Sequence, residues 1–180
     1  VLVDDLRRDR RSDGLAEAHA AEVFSAIRFD FHAPAATVPD VLAQCVAAGV
    51  HGAIVVSAGF SETGAKGAAL DKRIREILRD SSMRVVGPNC LGLISPDEVK
   101  MGGIGGPAAN TRQAYTKGPV GIMSRSGGMT TEIASTLTQA GIGQSTAVSI
   151  GGDAVIGSTY AELMPFFEAV ETDRVPPAVD

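Results

Sequence analysis

The sequence predicts an α/β fold built on parallel sheets. Three observations carry that prediction. Residues Ala53 to Ser57 form an unbroken apolar run, as a parallel strand covered on both faces requires. Short apolar runs alternate along the chain with longer segments whose apolar residues recur at helical spacing. Two later strands each run into a small, polar, Gly-rich turn, Ser124-Arg125-Ser126-Gly127-Gly128 and Gly151-Gly152-Asp153. Backbone N–H groups freed at a helix start, with the helix dipole behind them, make a site for a phosphate or carboxylate. Two such turns place the ligands of the sheet beyond the carboxyl ends of its strands.

The elements follow in order. Residues 1–13 are charged and without period. Gly14 to Ile27 read as a helix, with Leu15, Ala18, Val23 and Ile27 roughly on one side, and Ile27 to His32 as a strand. Pro39 suits the first turn of a helix whose buried stripe is Val41, Leu42, Cys45 and Val46, and Gly49 ends it. The strand at Ala53 follows, then a loop from Ser57 to Gly64 at its carboxyl end. Leu70, Ile74, Ile77 and Leu78 mark the next helix. Arg84 to Val86 is a short strand, and Gly87 to Gly92 the turn after it. From Ser95 to Gly118 the composition shifts to Gly, Pro, Asn and charge, which reads as a linker between two subdomains. Val120 to Met123 is the next strand. In the helix after it Met129, Ile133 and Leu137 stack at four-residue spacing, and Gly141 caps it. Thr146 to Ile150 is the last strand, and a helix carrying Leu163, Phe166, Phe167 and Val170 closes the chain.

Bulk composition bounds the function. At 180 residues the chain fits one large domain or two small ones. It is 44% hydrophobic with no Trp and 4% aromatic residues, so its core must be aliphatic. Its 21 glycines gather at 102–106, 127–128, 141–143 and 151–152, the pattern of turns and not of a low-complexity tract. The net charge of −5 and the lack of a basic patch with interleaved aromatics exclude nucleic-acid binding. Arg7, Arg8, Arg10 and Arg11 are interrupted by Asp9 and read as a solvated face. Two cysteines make no disulfide framework, so reduced thiols and a cytoplasmic home are expected. No signal peptide or apolar run of membrane-spanning length is present, and no membrane partner is expected. A start without Met and an end without a helix stop lead us to expect a fragment.

The Ser124–Gly128 turn is not the nucleophile elbow of the α/β-hydrolases, because no Gly stands two before and two after one Ser. Its hydroxyls and N–H groups suit anion binding better than covalent attack. Gly102-Gly103-Ile104-Gly105-Gly106-Pro107 has the glycine density of a dinucleotide fingerprint, but it reads as neither following a strand nor opening a periodic helix. There is no Walker A Lys and no metal-type Cys/His spacing, so no metal site is expected. His19, His32 and His51 are scattered and read as structural. Glu132, in a first helical turn, suits the dipole whatever its role. Gly87-Pro88-Asn89-Cys90 taken alone is a tight turn: Pro fixes φ and Asn tolerates unusual backbone angles.

Together these motifs form a pattern. The order Ser57-Ala58-Gly59-Phe60-Ser61-Glu62, Gly87-Pro88-Asn89-Cys90, Lys100-Met101-Gly102, Ser124-Arg125-Ser126-Gly127-Gly128-Met129-Thr130-Thr131-Glu132, Gly143-Gln144-Ser145-Thr146 and Gly151-Gly152-Asp153 resembles the alpha subunit of succinyl-CoA synthetase. The related NDP-forming acyl-CoA synthetases share the Ser-Ala-Gly-Phe-Ser-Glu and Gly-Pro-Asn-Cys-Leu-Gly-Leu-Ile forms. The likeness runs from about Pro34 to Thr172. It implies a Rossmann-like CoA-binding domain over residues 1–95, a linker over 96–118, and the start of a flavodoxin-like ligase domain over 119–180. It implies a reaction in which a small carboxylic acid, CoA and ATP or GTP give acyl-CoA, nucleoside diphosphate and phosphate through a phosphohistidine. The implied partner is an ATP-grasp beta subunit, which would bring the nucleotide and Mg2+.

By the same resemblance, Val56, Ser57 and Ala58 match the segment that contacts CoA, and Asn89 and Cys90 the turn near its thiol end. Ser124, Arg125, Ser126, Gly127 and Gly128 match the helix start that holds the phosphate, and Thr131 the position facing the acid. Thr131 stands where the family usually has a substrate-contacting Tyr, which leaves the identity of the acid open. Ser149 stands where Gly or Ala is preferred. The N-terminal Gly-rich CoA-phosphate loop has no counterpart here. The phosphorylated His belongs to a segment downstream of Asp180, and none of the three histidines has its context. No catalytic residue is therefore assigned, and the chain alone is expected to be inactive. Two alternatives remain: a non-catalytic CoA-binding or regulatory module, and part of a fused NDP-forming acetate–CoA ligase. A downstream His separates the first reading from the module, and an ATP-grasp region in the same frame would identify the fused type.

Overall fold

The structure, a computed structural model, describes residues 26–28, 34–153 and 157–172. The helix expected over 14–27 lies outside the described residues apart from its last two, as do His19, His32 and the arginines of 7–11. The elements are β1 (Ala26–Arg28), a 3-10 turn (Ala35–Thr37), α1 (Val38–Ala47), β2 (Gly52–Ile54), a second 3-10 turn (Ser61–Thr63), α2 (Ala65–Leu78), β3 (Arg84–Val86), β4 (Gly92–Ser95) and β5 (Val99–Gly102). Then come α3 (Ala108–Ala114), β6 (Lys117–Ser124), α4 (Gly127–Gln139), β7 (Gln144–Ser149) and α5 (Tyr160–Thr172).

Two sheets form. The first has the order β1-β2-β3 and is parallel throughout. The second has the order β5-β4-β7-β6. Its β6–β7 pair is parallel, while β4 runs antiparallel to both β5 and β7. The α/β class holds, and the second sheet is mixed where only parallel strands were expected.

The segment 96–118, expected as a linker, holds regular elements. Those residues supply β5 and α3, and β4, placed with the first unit, pairs in the second sheet. Asp97, with φ of 66°, makes the tight turn that folds β5 back on β4. Gly-rich composition signals turns, and here the turns join short ordered elements. The glycine cluster after β5 therefore does follow a strand and open a helix, contrary to the sequence reading. That strand is antiparallel and α3 has 7 residues, so the parallel strand–turn–helix of a dinucleotide site is still not made.

Alternation along each strand sorts the core into layers. On one face of the first sheet, Ala53, Val55 and Val85 pack with Val38, Leu42 and Cys45 of α1 and Ile74 of α2. Ile54 and Val86 point the other way. They meet Leu93, Met101 and Val148 of the second sheet and Leu163 and Phe167 of α5. Ile94, Ile122 and Ala147 then face Ala114, Tyr115 and Ala134 from α3, the residue after it, and α4. A continuous apolar layer thus joins the two sheets. Helix α1 ends as expected: Gly49, at φ of 72°, donates its N–H to Val46, and Val50 donates to Cys45.

Helix α4 differs from its expected face. Met129 is 56% and Ile133 41% exposed, while Thr130 and Ala134 are buried and Leu137 packs against the core. Small side chains let the helix approach the sheet closely, and the neighbouring row of larger residues is left outside. Four-residue spacing alone does not say which row faces inward.

Candidate functional site

The Gly-rich turns of both sheets converge. At the end of β2, Val56 is half-buried, Ser57 is buried and Ala58 is exposed. Asn89, at φ of 53°, donates its backbone N–H to the Ser57 carbonyl at 3.0 Å. Its side-chain Nδ2 donates to Asp153 Oδ1 at 2.9 Å, and its carbonyl accepts from Gly152 N at 3.1 Å. One residue therefore ties the expected CoA segment to the second Gly-rich turn.

Cys90 does not lie on the surface of its turn. It is buried, and its Sγ donates to the Val55 carbonyl at 3.4 Å and the Val86 carbonyl at 3.6 Å. Burial pushes the thiol up to about 12. So few thiolates survive near neutrality that the side chain is a packing group. Cys90 is expected to resist an alkylating reagent at pH 8 in the folded protein and to react after denaturation; mass spectrometry before and after unfolding checks this.

The phosphate-type turn is built as follows. Ser124 ends β6 and its Oγ accepts from Ser126 N at 3.1 Å. Ser126 is the N-cap of α4, and its Oγ accepts from Met129 N at 3.4 Å. The first N–H groups of a helix have no intrahelical acceptor. Gly127 and Gly128 supply them here, with no side chain to cover them. Gly127 is also required by packing, since a Cβ there would sit 2.3 Å from Leu91 Cγ. The Ile150 N–H donates to the Ser124 carbonyl at 2.9 Å, joining this turn to the end of β7.

Arg125 points away from the helix start. Its Nε donates to the Gly151 carbonyl at 3.4 Å, and its Nη2 to the carbonyls of Gly152, at 2.9 Å, and Asp153. The guanidinium is a clamp on the second Gly-rich turn. It sets positive charge beside the expected anion site, with Nε and Nη2 both spent on backbone carbonyls.

Thr131 Oγ1 donates to the Gly127 carbonyl at 3.3 Å and also meets the Tyr115 hydroxyl at 3.0 Å. Tyr115 is buried, and its burial raises the phenol above its ordinary value. The sequence reading missed Tyr115 because it lies in the segment taken for a linker. An aromatic hydroxyl thus reaches the position where the resembled family usually carries its own Tyr.

Near the same junction stand three carboxylates. Glu62 Oε1 accepts from Gly59 N at 2.5 Å and Oε2 from Phe60 N at 2.9 Å. Burial draws Glu62 up, but the Gly59 amide, its own amide, the Asp153 carboxyl and the Phe60 amide together hold it below its ordinary value. Asp71, buried in α2, accepts from Ser61 N at 3.2 Å and from the Ser61 hydroxyl. Its desolvation raises it. Among the described residues no group of three His, Cys, Asp or Glu side chains could hold a metal ion. No helix among them is long and apolar enough to cross a membrane.

The chain is similar to proteins already known. Residues 15–96 match the CoA binding domain family. Subunit alpha 1 of the ADP-forming succinate–CoA ligase of Archaeoglobus fulgidus is 41% identical over 101 residues, covering 56% of this chain and 33% of that protein. Over this stretch the chain is similar to succinate–CoA ligase alpha subunits. It spans about a third of the length of the curated relatives it matches. A solved protein of Pyrococcus horikoshii aligns over 74% of the chain and 29% of its own, at 34% identity and a TM-score of 0.60. The dinucleotide forming acetyl-coenzyme A synthetase 1 of Ca. Korarchaeum cryptofilum, solved with phosphate and ADP, aligns over 80% of the chain and 28% of its own. Its identity is 26% and its TM-score 0.57. The α/β fold and the CoA-binding character expected from the residues agree with these relatives.

Proposed function

We propose that this chain supplies the CoA-binding and phosphate-binding parts of an acid–CoA ligase. The observation that carries the reading is the Asn89 bridge. It holds the Ser57 segment, the Gly151–Asp153 turn and, through Arg125, the start of α4 in one arrangement. CoA would lie against Val56, Ser57, Ala58 and the Asn89 turn, with Cys90 acting from beneath by packing. A phosphate would lie on the Gly127 and Gly128 amides, with Ser124 and Ser126 at its rim and the α4 dipole behind it. Thr131, backed by Tyr115, would face a small carboxylic acid.

In this reading the CoA-binding part runs to about residue 95, in keeping with the family match over 15–96, and its last strand, β4, pairs into the sheet of the ligase part. The complete protein would work in the cytoplasm. It would form acyl-CoA from the acid, CoA and ATP or GTP by way of a phosphohistidine elsewhere in the alpha chain. An ATP-grasp beta subunit would bring the nucleotide and Mg2+. The acetyl-coenzyme A synthetase likeness supports a second reading, in which alpha and beta parts are fused and the acid is acetate.

The test uses the complete encoded protein with its ATP-grasp partner. Incubation with γ-labelled ATP is expected to give acid-labile, base-stable label on a histidine of the alpha chain, discharged to ATP by added ADP or to inorganic phosphate by acid plus CoA. Binding of CoA without any such label would replace this reading with a non-catalytic CoA-binding module.

A further inference from the structure

Asp153 is 2% exposed, and only one of its carboxyl oxygens has a conventional donor. Asn89 Nδ2 serves Oδ1, while Oδ2 is fully buried with no donor among the described residues. A buried carboxylate oxygen left in that state is costly. The Glu62 and Asp153 carboxyl groups lie within hydrogen-bond reach of one another. Glu62 in turn is held ionised by the two amides it accepts from. Two carboxylates in contact cannot both stay ionised at low cost, and a single proton between them resolves both problems.

We infer that Asp153 is kept as the neutral acid and donates its proton in a hydrogen bond to the Glu62 carboxylate, making a pH-sensitive latch between the Ser57–Glu62 loop and the Gly151–Asp153 turn. The surroundings favour this division of roles. From α2, buried Asp71 adds negative charge near Asp153, and Arg75 on the same helix faces Asp71. From the β6–α4 turn, the Arg125 guanidinium is spent on backbone carbonyls, including that of Asp153, and not on its carboxylate. Burial and the neighbouring acids hold the Asp153 carboxyl above its ordinary value, against the pull of Asn89.

The sign follows from these directions. Glu62, lowered in the folded protein, contributes stability that is lost as pH falls through its folded midpoint. Asp153, raised, contributes stability that is present below its unfolded midpoint and lost as pH rises through its folded one. The latch is therefore closed between the Glu62 midpoint, which lies below its ordinary value, and the Asp153 midpoint, which lies above its own. It loosens when pH rises past the Asp153 midpoint and the two carboxylates repel.

Carboxyl NMR titration of the full chain tests this. Asp153 is expected to titrate above the ordinary carboxylate range and Glu62 below it. Exchange of the Gly59 and Phe60 amides should quicken as pH passes the Asp153 midpoint. Glu62→Gln offers an amide donor to Asp153 and should lower its midpoint by about one unit or more. Asp153→Asn keeps a donor toward Glu62 without a titrating group, so the exchange rates should lose their dependence on that midpoint. The inference is overturned if Asp153 titrates in or below the ordinary range, or if Glu62→Gln leaves its midpoint in place. Displacement of both carboxyl resonances by Mg2+ at neutral pH would also overturn it, by showing a cation where the proton is assigned.

Discussion

Ser126→Asp is expected to abolish phosphate binding at the start of α4 while leaving the helix intact. The position decides both halves of that outcome. Ser126 caps the helix through Oγ to Met129 N. Asp is as good a cap as Ser, and its charge suits the positive end of the dipole, so folding is preserved. The same charge stands at the rim of the proposed anion site. Two unit charges about 4 Å apart near a protein surface repel by roughly 4 kcal/mol, enough for a loss on the order of a thousandfold. Calorimetric titration with inorganic phosphate, alongside a thermal melt, reads both effects. Phosphate affinity that survived in a folded Ser126→Asp protein would move the anion site away from α4. Ser126→Ala serves as the contrast: it should lose about 1 kcal/mol of stability with only a modest loss of affinity.

Gly151→Ala is expected to be the most damaging small substitution at the junction. Gly151 has φ of 106°, a region that L side chains avoid. A Cβ there would lie 2.1 Å from the Pro88 carbonyl oxygen. That oxygen is backbone in a buried turn, so it cannot swing aside as a side chain would. Backbone strain of about 1–3 kcal/mol adds to a similar overpacking cost. We expect roughly 3 kcal/mol or more of destabilisation by denaturant unfolding, together with loss of CoA binding, because the Asn89 bridge is displaced. A Gly151→Ala protein of native stability would mean that the two turns are not held in contact.

Much of this was legible in the sequence, for identifiable reasons. Strands β2, β3, β6 and β7 announce themselves as apolar runs. Gly49 and Gly141 announce helix ends, because positive φ there demands glycine or a close substitute. The strand-to-helix turn at Ser124–Gly128 was legible because an apolar run ends there in small polar residues and Gly, which suit a helix start. What could not be read was partnership. Arg125 was assigned to phosphate from its place beside Ser126, yet its length carries it to the carbonyls of 151–153. Cys90 was placed at the site by its turn, but the turn tucks its thiol beneath Val55 and Val86. Strands β4 and β5 were hidden because a four-residue strand beside glycines has little period to show. Tyr115 went unnoticed with them.

The insertion of β4 has a mechanical consequence. Gly92 pairs with Ser149 on one side and with Gly102 on the other, so the second sheet closes only after a long stretch of chain has been laid down. The strand leaving the first sheet is thus the spine of the second, and the shared layer of Ile54, Val86, Leu93 and Val148 fastens them face to face. Such an arrangement melts as one body: heat or denaturant should give a single cooperative transition rather than two. A ligand seated at either Gly-rich turn would then steady both sheets at once, since neither can loosen alone.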